Sequence, residues 1–358
     1  MFPLLKGKNA EPSITSYQSP GSETLKSTIT INGRFEAVTM QLRRVTAGGK
    51  VRAEILAPTG WVPAAAALAQ LPSCDQRVGD DIIGLLALPE ATRRALVAAA
   101  DRVLPVDDGA RPILPFEPRS FRDFMLYEAH AIDAARGFVR RFMPGAARLV
   151  STYEAITRAT FPSLRPHALW HRQPIYYMGN HLTFAADGDD IAMPPYTSAL
   201  DYELELGFVL AHPLRDASPA EAERAIGGFV VLNDLSARDV QLAEMRSGFG
   251  PQKAKHFRSA MSGVVVSADA ILPQWRELQA SVRLNGRLEA TCATRDARWS
   301  LGEVLAHASA GEQLHPGELF GTGTLPGGSG IEHGRLLARG DTIALAIDGI
   351  GALSNRIV

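Results

Sequence analysis

This sequence predicts an α+β fold in which a curved, mixed β-sheet domain follows a small β-rich domain. Three observations carry that expectation. Strand-like runs recur through the later part of the chain, without the regular alternation with helices that builds a doubly wound sheet. The stretch LDYELELGFVL (200–210) alternates acidic and apolar residues with the period of a strand. A Pro- and Asp-rich segment, 104–118, separates this region from short upstream strands joined by Gly-containing turns.

Taken in order, residues 1–39 mix Ser, Thr, Pro and Gly with no sustained period and read as an extended arm or leader. Residues 40–112 form the small domain: runs at Met40–Thr46 and Val51–Ala57 flank the turn Ala47-Gly48-Gly49, and a third run lies at Trp61-Val62. A helix is expected from Pro89 to Val103. The second domain is 113–358. Ser120-Phe121-Arg122-Asp123 has the spacing of a helix N-terminus, which predicts a helix reaching about Arg140. Further strands are expected at Ile175–Tyr177, Ser198–Leu210, Gly228–Leu232, Gly263–Val266, Ala280–Leu284 and Thr342–Ile347. The Gly-rich stretch 321–330 reads as a loop.

At 358 residues the chain is long for one core, so two domains are the expectation. A composition of 46% hydrophobic and 21% charged residues is that of an ordinary globular enzyme or binding protein. The formal net charge of -1 removes the electrostatic argument for nucleic acid. Cys74 and Cys292 belong to no CxxC or Cys/His pattern, which argues against structural zinc and a disulfide framework and for a reducing cytoplasm. No apolar run approaches the ~20 residues that span a bilayer, and no signal-peptide pattern opens the chain.

The alternation at 200–210 sends Asp201, Glu203 and Glu205 to one face of a strand that leads into apolar sequence. Buried carboxylates cost several kcal/mol each unless something positive meets them, and a divalent cation would. The competing reading is an edge strand with a solvated acidic face. If 120–140 is one helix, Asp123 and His130 share a face about 10 Å apart along the axis, too far to ligate one ion. That spacing suits a metal ligand and a base at opposite ends of a pocket; read singly, Asp123 is also an ordinary first-turn acid and His130 an ordinary core histidine. Asp234 ends an apolar run, with Arg238 and Gln241 at helical offsets beyond it. This strand-to-helix corner offers an oxygen ligand and two donors for anionic oxygens, or else a capping Asp with a local Arg partner. Lys253 and Lys255 sit in the turn 250–257 and could equally be solvated. The glycine-rich stretch lacks the signature of a phosphate loop and would bring backbone amides and Thr324 to a small ligand, with Glu332 just beyond.

In this order, FRDFMLYEAH (121–130), YYMGN (176–180), DYELELG (201–207), NDLSARDVQ (233–241), GPQKAKHF (250–257), TGTLPGGSGIE (322–332) and GDTIALAIDGIGALSN (340–355) resemble the fumarylacetoacetate hydrolase superfamily. The resemblance covers nearly all of the second domain and implies the superfamily's β-roll catalytic fold. It implies Asp123, Glu203, Glu205 and Asp234 as metal ligands; their oxygen donors suit Mg²⁺, Mn²⁺ or Ca²⁺. Asp201 has no ligand counterpart. His130 and Glu332 match the base and its partner, Arg238, Gln241 and Lys255 the groups that stabilise an oxyanion, and Tyr177 a substrate-contacting aromatic; Thr324 joins Arg238 and Gln241 as a substrate-binding candidate. Met125 and Met245 stand where fumarylacetoacetate-cleaving members carry tyrosines, which implies a different acyl group. Arg136 or Arg140 could meet a distal carboxylate.

The expected activity is metal-dependent hydrolysis of a C–C bond in a 1,3-dicarbonyl or acylpyruvate-like substrate, by a homodimer as this fold usually forms. Rivals are a decarboxylase, isomerase or hydratase acting on a related 2-oxo acid at the same centre. A non-catalytic small-molecule-binding protein is a third reading.

Overall fold

The computed structural model describes residues 39–358, so the arm expected over 1–39 falls, but for its last residue, outside the described residues. A twelve-stranded sheet organises the rest. Its main path runs Gly60–Pro63, Lys50–Ala57, Gln41–Ala47, Val264–Ser267, Ile226–Asn233, Glu203–Leu210, Leu319–Ser329, Phe121–Phe124, Tyr176–Gly179. A five-stranded sheet carries Arg287–Ala293, Gln279–Leu284, Thr342–Ile347, Gly351–Ile357 and Asp190–Ile191.

Hydrophobic alternation explains how the layers meet. Leu206, Phe208, Phe229 and Phe320 of the large sheet join Val282, Leu345 and Leu353 of the smaller one in the main core. Val209, Val230 and Val265 belong to a second apolar cluster with Leu42, Ile55, Val62, Leu85 and Leu96 of the upstream segment. Burying both clusters is the main favourable term holding the fold. Within the stretch 104–118, Arg111–Ile113 pairs with Gln41–Ala47, and that strand also pairs with Val264–Ser267. Backbone hydrogen bonds therefore join residues 40–112 to the rest in one sheet.

Several expected elements form within a residue or two of their predicted bounds, including Gln41–Ala47, Lys50–Ala57 and Gln279–Leu284. Others differ. The helix expected from Ser120 does not start there: Phe121–Phe124 is a fully buried strand, and the helix runs Glu128–Phe142. The strand pairs in parallel with Leu319–Ser329 on one side and antiparallel with Tyr176–Gly179 on the other, and these tertiary ladders outweigh the local capping spacing. Asp123 and His130 thus do not share a helix face. The stretch expected as a glycine-rich loop is instead the central strand Leu319–Ser329, threaded between Glu203–Leu210 and Phe121–Phe124. The acidic strand is broken once: Leu200–Asp201 pairs with Ser236–Ala237, and Glu203–Leu210 lies inside the large sheet, which excludes the edge-strand reading.

Candidate metal centre

Three strands of the large sheet supply the centre, two of them separated by Leu319–Ser329. Asp123 projects from Phe121–Phe124, Glu205 from the acidic strand, and Asp234 follows directly after Ile226–Asn233. One carboxylate oxygen from each lies within 4.8 Å of the others, and all three residues are buried. Gly321 makes this convergence possible. It lies opposite Asp123 in the parallel ladder, and a Cβ there would sit 2.4 Å from Asp123 Oδ1 and 2.5 Å from Glu205 Oε2.

Those same two oxygens have no hydrogen-bond partner among the described residues. A buried carboxylate oxygen left unpaired is strongly unfavourable, and here two of them face one small space. Burial, then the Asp234 charge, pushes the Asp123 carboxyl well above its usual range. Burial, then Asp123 and Asp234, does the same to Glu205. A cation among them would reverse both effects. All donors are oxygen, so the set fits a hard divalent ion.

Asp234 is better satisfied. Its Oδ2 accepts from Lys255 Nζ at 2.6 Å and from the Tyr177 hydroxyl at 2.7 Å, and its Oδ1 accepts from Ser259 Oγ at 3.2 Å. Burial, then the charge of Asp234, holds the Tyr177 phenol well above its ordinary value, so it stays a donor. Glu203, expected as a fourth ligand, is not in the converging trio: Arg238 donates to its Oε1 at 2.6 Å and Lys255 to its Oε2. Burial opposes its charge, but Arg238 and Lys255 together hold the Glu203 carboxyl well below the usual range. Burial likewise opposes the Lys255 ammonium, which Asp234 and Glu203 raise above its ordinary value.

Arg238 is more engaged than an open oxyanion donor would be. Its Nε donates to Asp201 Oδ2 at 2.8 Å, one terminal nitrogen to Glu203, and the other to Gln241 Oε1 at 2.9 Å. Gln241 keeps its amide nitrogen for another acceptor. Thr324 Oγ1 lies 3.4 Å from Glu205 Oε1.

His130 sits in the first turn of Glu128–Phe142, buried between two carboxylates. Nδ1 lies 3.3 Å from Glu332 Oε2, too poorly aligned for a regular hydrogen bond, and Nε2 lies 3.9 Å from Glu203 Oε1. Glu332 is fixed from behind: Gly327 N donates to Oε1, while Ser329 N and Oγ donate to Oε2. Burial opposes the charge of Glu332, yet His130 and these donors hold its carboxyl below the usual range.

Of the arginines expected near a distal carboxylate, Arg136 pairs with Glu154 and Asp133, and Arg140 donates to the Glu332 carbonyl at 2.7 Å. Met125 and Met245 are partly exposed. Sequence reasoning missed Ser259, whose contact with Asp234 leaves no local signal. It also missed the steric role of Gly321, hidden because the stretch read as a loop.

Residues 153–358 match the family described as Fumarylacetoacetate (FAA) hydrolase C-terminal. The chain belongs to the fumarylacetoacetate hydrolase family. Asp123 and His130 lie upstream of the matched residues. The chain is similar to the oxaloacetate tautomerase YisK of Bacillus subtilis, with 32% identity over 186 residues, 51% of this chain and 61% of that protein. It is similar to the homoprotocatechuate catabolism bifunctional isomerase/decarboxylase of Escherichia coli, with 26% identity over 248 residues, 63% of this chain and 55% of that protein. It thus spans under two thirds of the length of either relative. Among solved structures, a fumarylacetoacetate hydrolase from Exiguobacterium antarcticum superposes with a TM-score of 0.63 at 22% identity, over 89% of this chain and 99% of that one. Maleylpyruvate hydrolase from Sphingobium sp. SYK-6 gives 0.61 at 18%, over 89% and 99%. These likenesses establish the fold. Among the described residues no helix is long and apolar enough to cross a membrane.

Proposed function

We infer that this family member is a divalent-metal-dependent enzyme hydrolysing a C–C bond in a 1,3-dicarbonyl or acylpyruvate-like substrate. One observation carries the reading: an imidazole backed by an anchored carboxylate stands 3.9 Å from Glu203, which shares Lys255 with Asp234, a member of a buried carboxylate trio in which Asp123 and Glu205 each keep an oxygen without a partner among the described residues. In the same reading, residues 113–358 are the catalytic unit and 40–112 the unit that precedes it, working as a cytoplasmic homodimer.

Asp123, Glu205 and Asp234 would hold Mg²⁺ or Mn²⁺, with Glu203 the adjoining fourth carboxylate. The bound ion would act as a Lewis acid that polarises the substrate's carbonyl oxygens. The Glu332 carboxylate, 3.3 Å from Nδ1, can only accept, and its charge there favours the tautomer with hydrogen on Nδ1, which leaves Nε2 as the base. Nε2 takes a proton from water, and the water oxygen bonds to the carbonyl carbon. Lys255 and the Gln241 amide oppose the negative charge that develops, while Arg238 holds Glu203 and Gln241 in place. The bond to the neighbouring carbon breaks, and that carbon receives the proton from His130. Tyr177 and Thr324, whose hydroxyls donate to Asp234 and Glu205, would contact the substrate.

A second reading is favoured by the relatives named for tautomerase and isomerase/decarboxylase activities. In it, the substrate is a 2-oxo acid and Nε2 takes a proton from carbon, with no water consumed. Turnover of acetylpyruvate and oxaloacetate with Mn²⁺ in ¹⁸O-labelled water separates the two. Label in a released carboxylic acid supports hydrolysis; CO₂ loss or enol–keto exchange without such label supports the second reading. No turnover, with His130→Ala unchanged from the parent, would leave a binding protein.

A further inference from the structure

Asp201 is the member of the acidic alternation that the proposed chemistry leaves unused, and it is fully buried. Four donors converge on it. Tyr202 N and Gly330 N donate to Oδ1 at 2.9 and 2.8 Å, while Ile331 N and Arg238 Nε donate to Oδ2 at 3.0 and 2.8 Å. Two of these amides open the short helix Gly330–His333 that carries Glu332. The Arg238 guanidinium that meets Asp201 also grips Glu203. One carboxylate therefore ties the backbone beneath Glu332 to the arginine that orients Glu203, and His130 lies between those two glutamates.

We propose that Asp201 is a positioning residue that sets the orientation of the His130 imidazole by holding Glu332 and the Arg238–Glu203 pair in one frame. The inference rests on the reading of His130 as the base. It demands a group that accepts at both oxygens. Asparagine has nearly the same shape, but its amide nitrogen would face two donors at one of the two positions. The frame would then open on that side by the loss of a buried, charge-assisted contact.

The test uses the full chain loaded with Mg²⁺, and compares the parent with Asp201→Asn, Glu332→Gln and the double variant. Asp201→Asn is expected to lower kcat on acetylpyruvate roughly 10–100-fold, with KM changed by less than about threefold, the range for groups that orient reacting ones. On the Glu332→Gln background the same change should cost under about threefold, because both act through one imidazole. Independently of activity, the ¹⁵N spectrum of His130, assigned by its loss in His130→Ala, should lose the pure Nδ1–H tautomer in Asp201→Asn. An unchanged His130 spectrum, or losses that multiply in the double variant, would overturn the proposal. If Asp201→Asn does not fold, Asp201→Glu keeps the charge on a longer stem and is read the same way. Should neither fold, Asp201 is a stability residue and the proposal fails. Failure of the underlying functional reading looks different: Glu332→Gln and the parent would then turn over equally.

Discussion

Asp123 Oδ1 and Glu205 Oε2 face one another across a glycine, and each lacks a hydrogen-bond partner among the described residues. The backbone of Gly321 leaves a space between two strands that any side chain would fill. Gly321→Ala should therefore weaken Mn²⁺ binding by roughly 100-fold or more, since its methyl displaces both oxygens; perturbing even an indirect support of a ligand typically costs 10–100-fold. Calorimetric titration of Mn²⁺ into both proteins measures this. Equal affinities would mean that the ion, if bound, lies elsewhere.

The same two carboxyls give the metal-free protein a characteristic pH dependence. Burial and the Asp234 charge raise the pKa of Asp123, and burial with the Asp123 and Asp234 charges raises that of Glu205, so the folded state holds protons that the unfolded state has released. The stability they contribute is full below the ordinary carboxylate value of about 4 and is lost as pH rises through the folded values. A bound cation removes that loss. The rise in Tm on adding Mn²⁺ should accordingly be larger at pH 8 than at pH 5.5, as thermal melts at both values would record.

Removing one charge should mimic part of that relief. Asp123→Asn is expected to raise the Tm of the metal-free protein at pH 8 by about 2 °C or more and to abolish its response to Mn²⁺. A lower Tm together with a retained Mn²⁺ response would count against the site.

Gly137 sits where the His130 helix meets the backbone of Ile331, next to Glu332. A Cβ at residue 137 would fall 2.0 Å from the Ile331 carbonyl oxygen. Gly137→Ala should push the helix away, costing about 1–3 kcal/mol in urea unfolding and lowering kcat more than it changes KM. A fully active, equally stable variant would show that the helix spacing does not set the His130–Glu332 distance.

The base itself should be separable from the centre. His130→Ala is expected to lower turnover by roughly 10²–10⁴-fold while leaving Mn²⁺ affinity within about threefold. Parallel loss of both would make His130 part of the ion's own support.

Much of this arrangement was legible in the sequence where a local period enforced it. The two-residue alternation put Glu203 and Glu205 on one side of a strand, and the corner after Asn233 isolated Asp234. Asp123 was legible as a residue but not as a strand residue, because the ladders that fix it come from Tyr177 and Gly321, far along the chain. Local spacing resembled a helix cap, and nothing nearby contradicted it. Glu203 drew its partners Arg238 and Lys255 from two other segments, so the pairing that holds it outside the trio left no periodic trace. The frame around Asp201 was invisible for the same reason.

The central claim is that Asp123, Glu205 and Asp234 together hold one divalent cation. Anomalous scattering from a crystal grown with Mn²⁺ tests it most directly. A single strong peak about 2.1 Å from one oxygen of each of the three residues is the predicted result. A peak bound to other residues, or none beside Gly321 at saturating Mn²⁺, would contradict it.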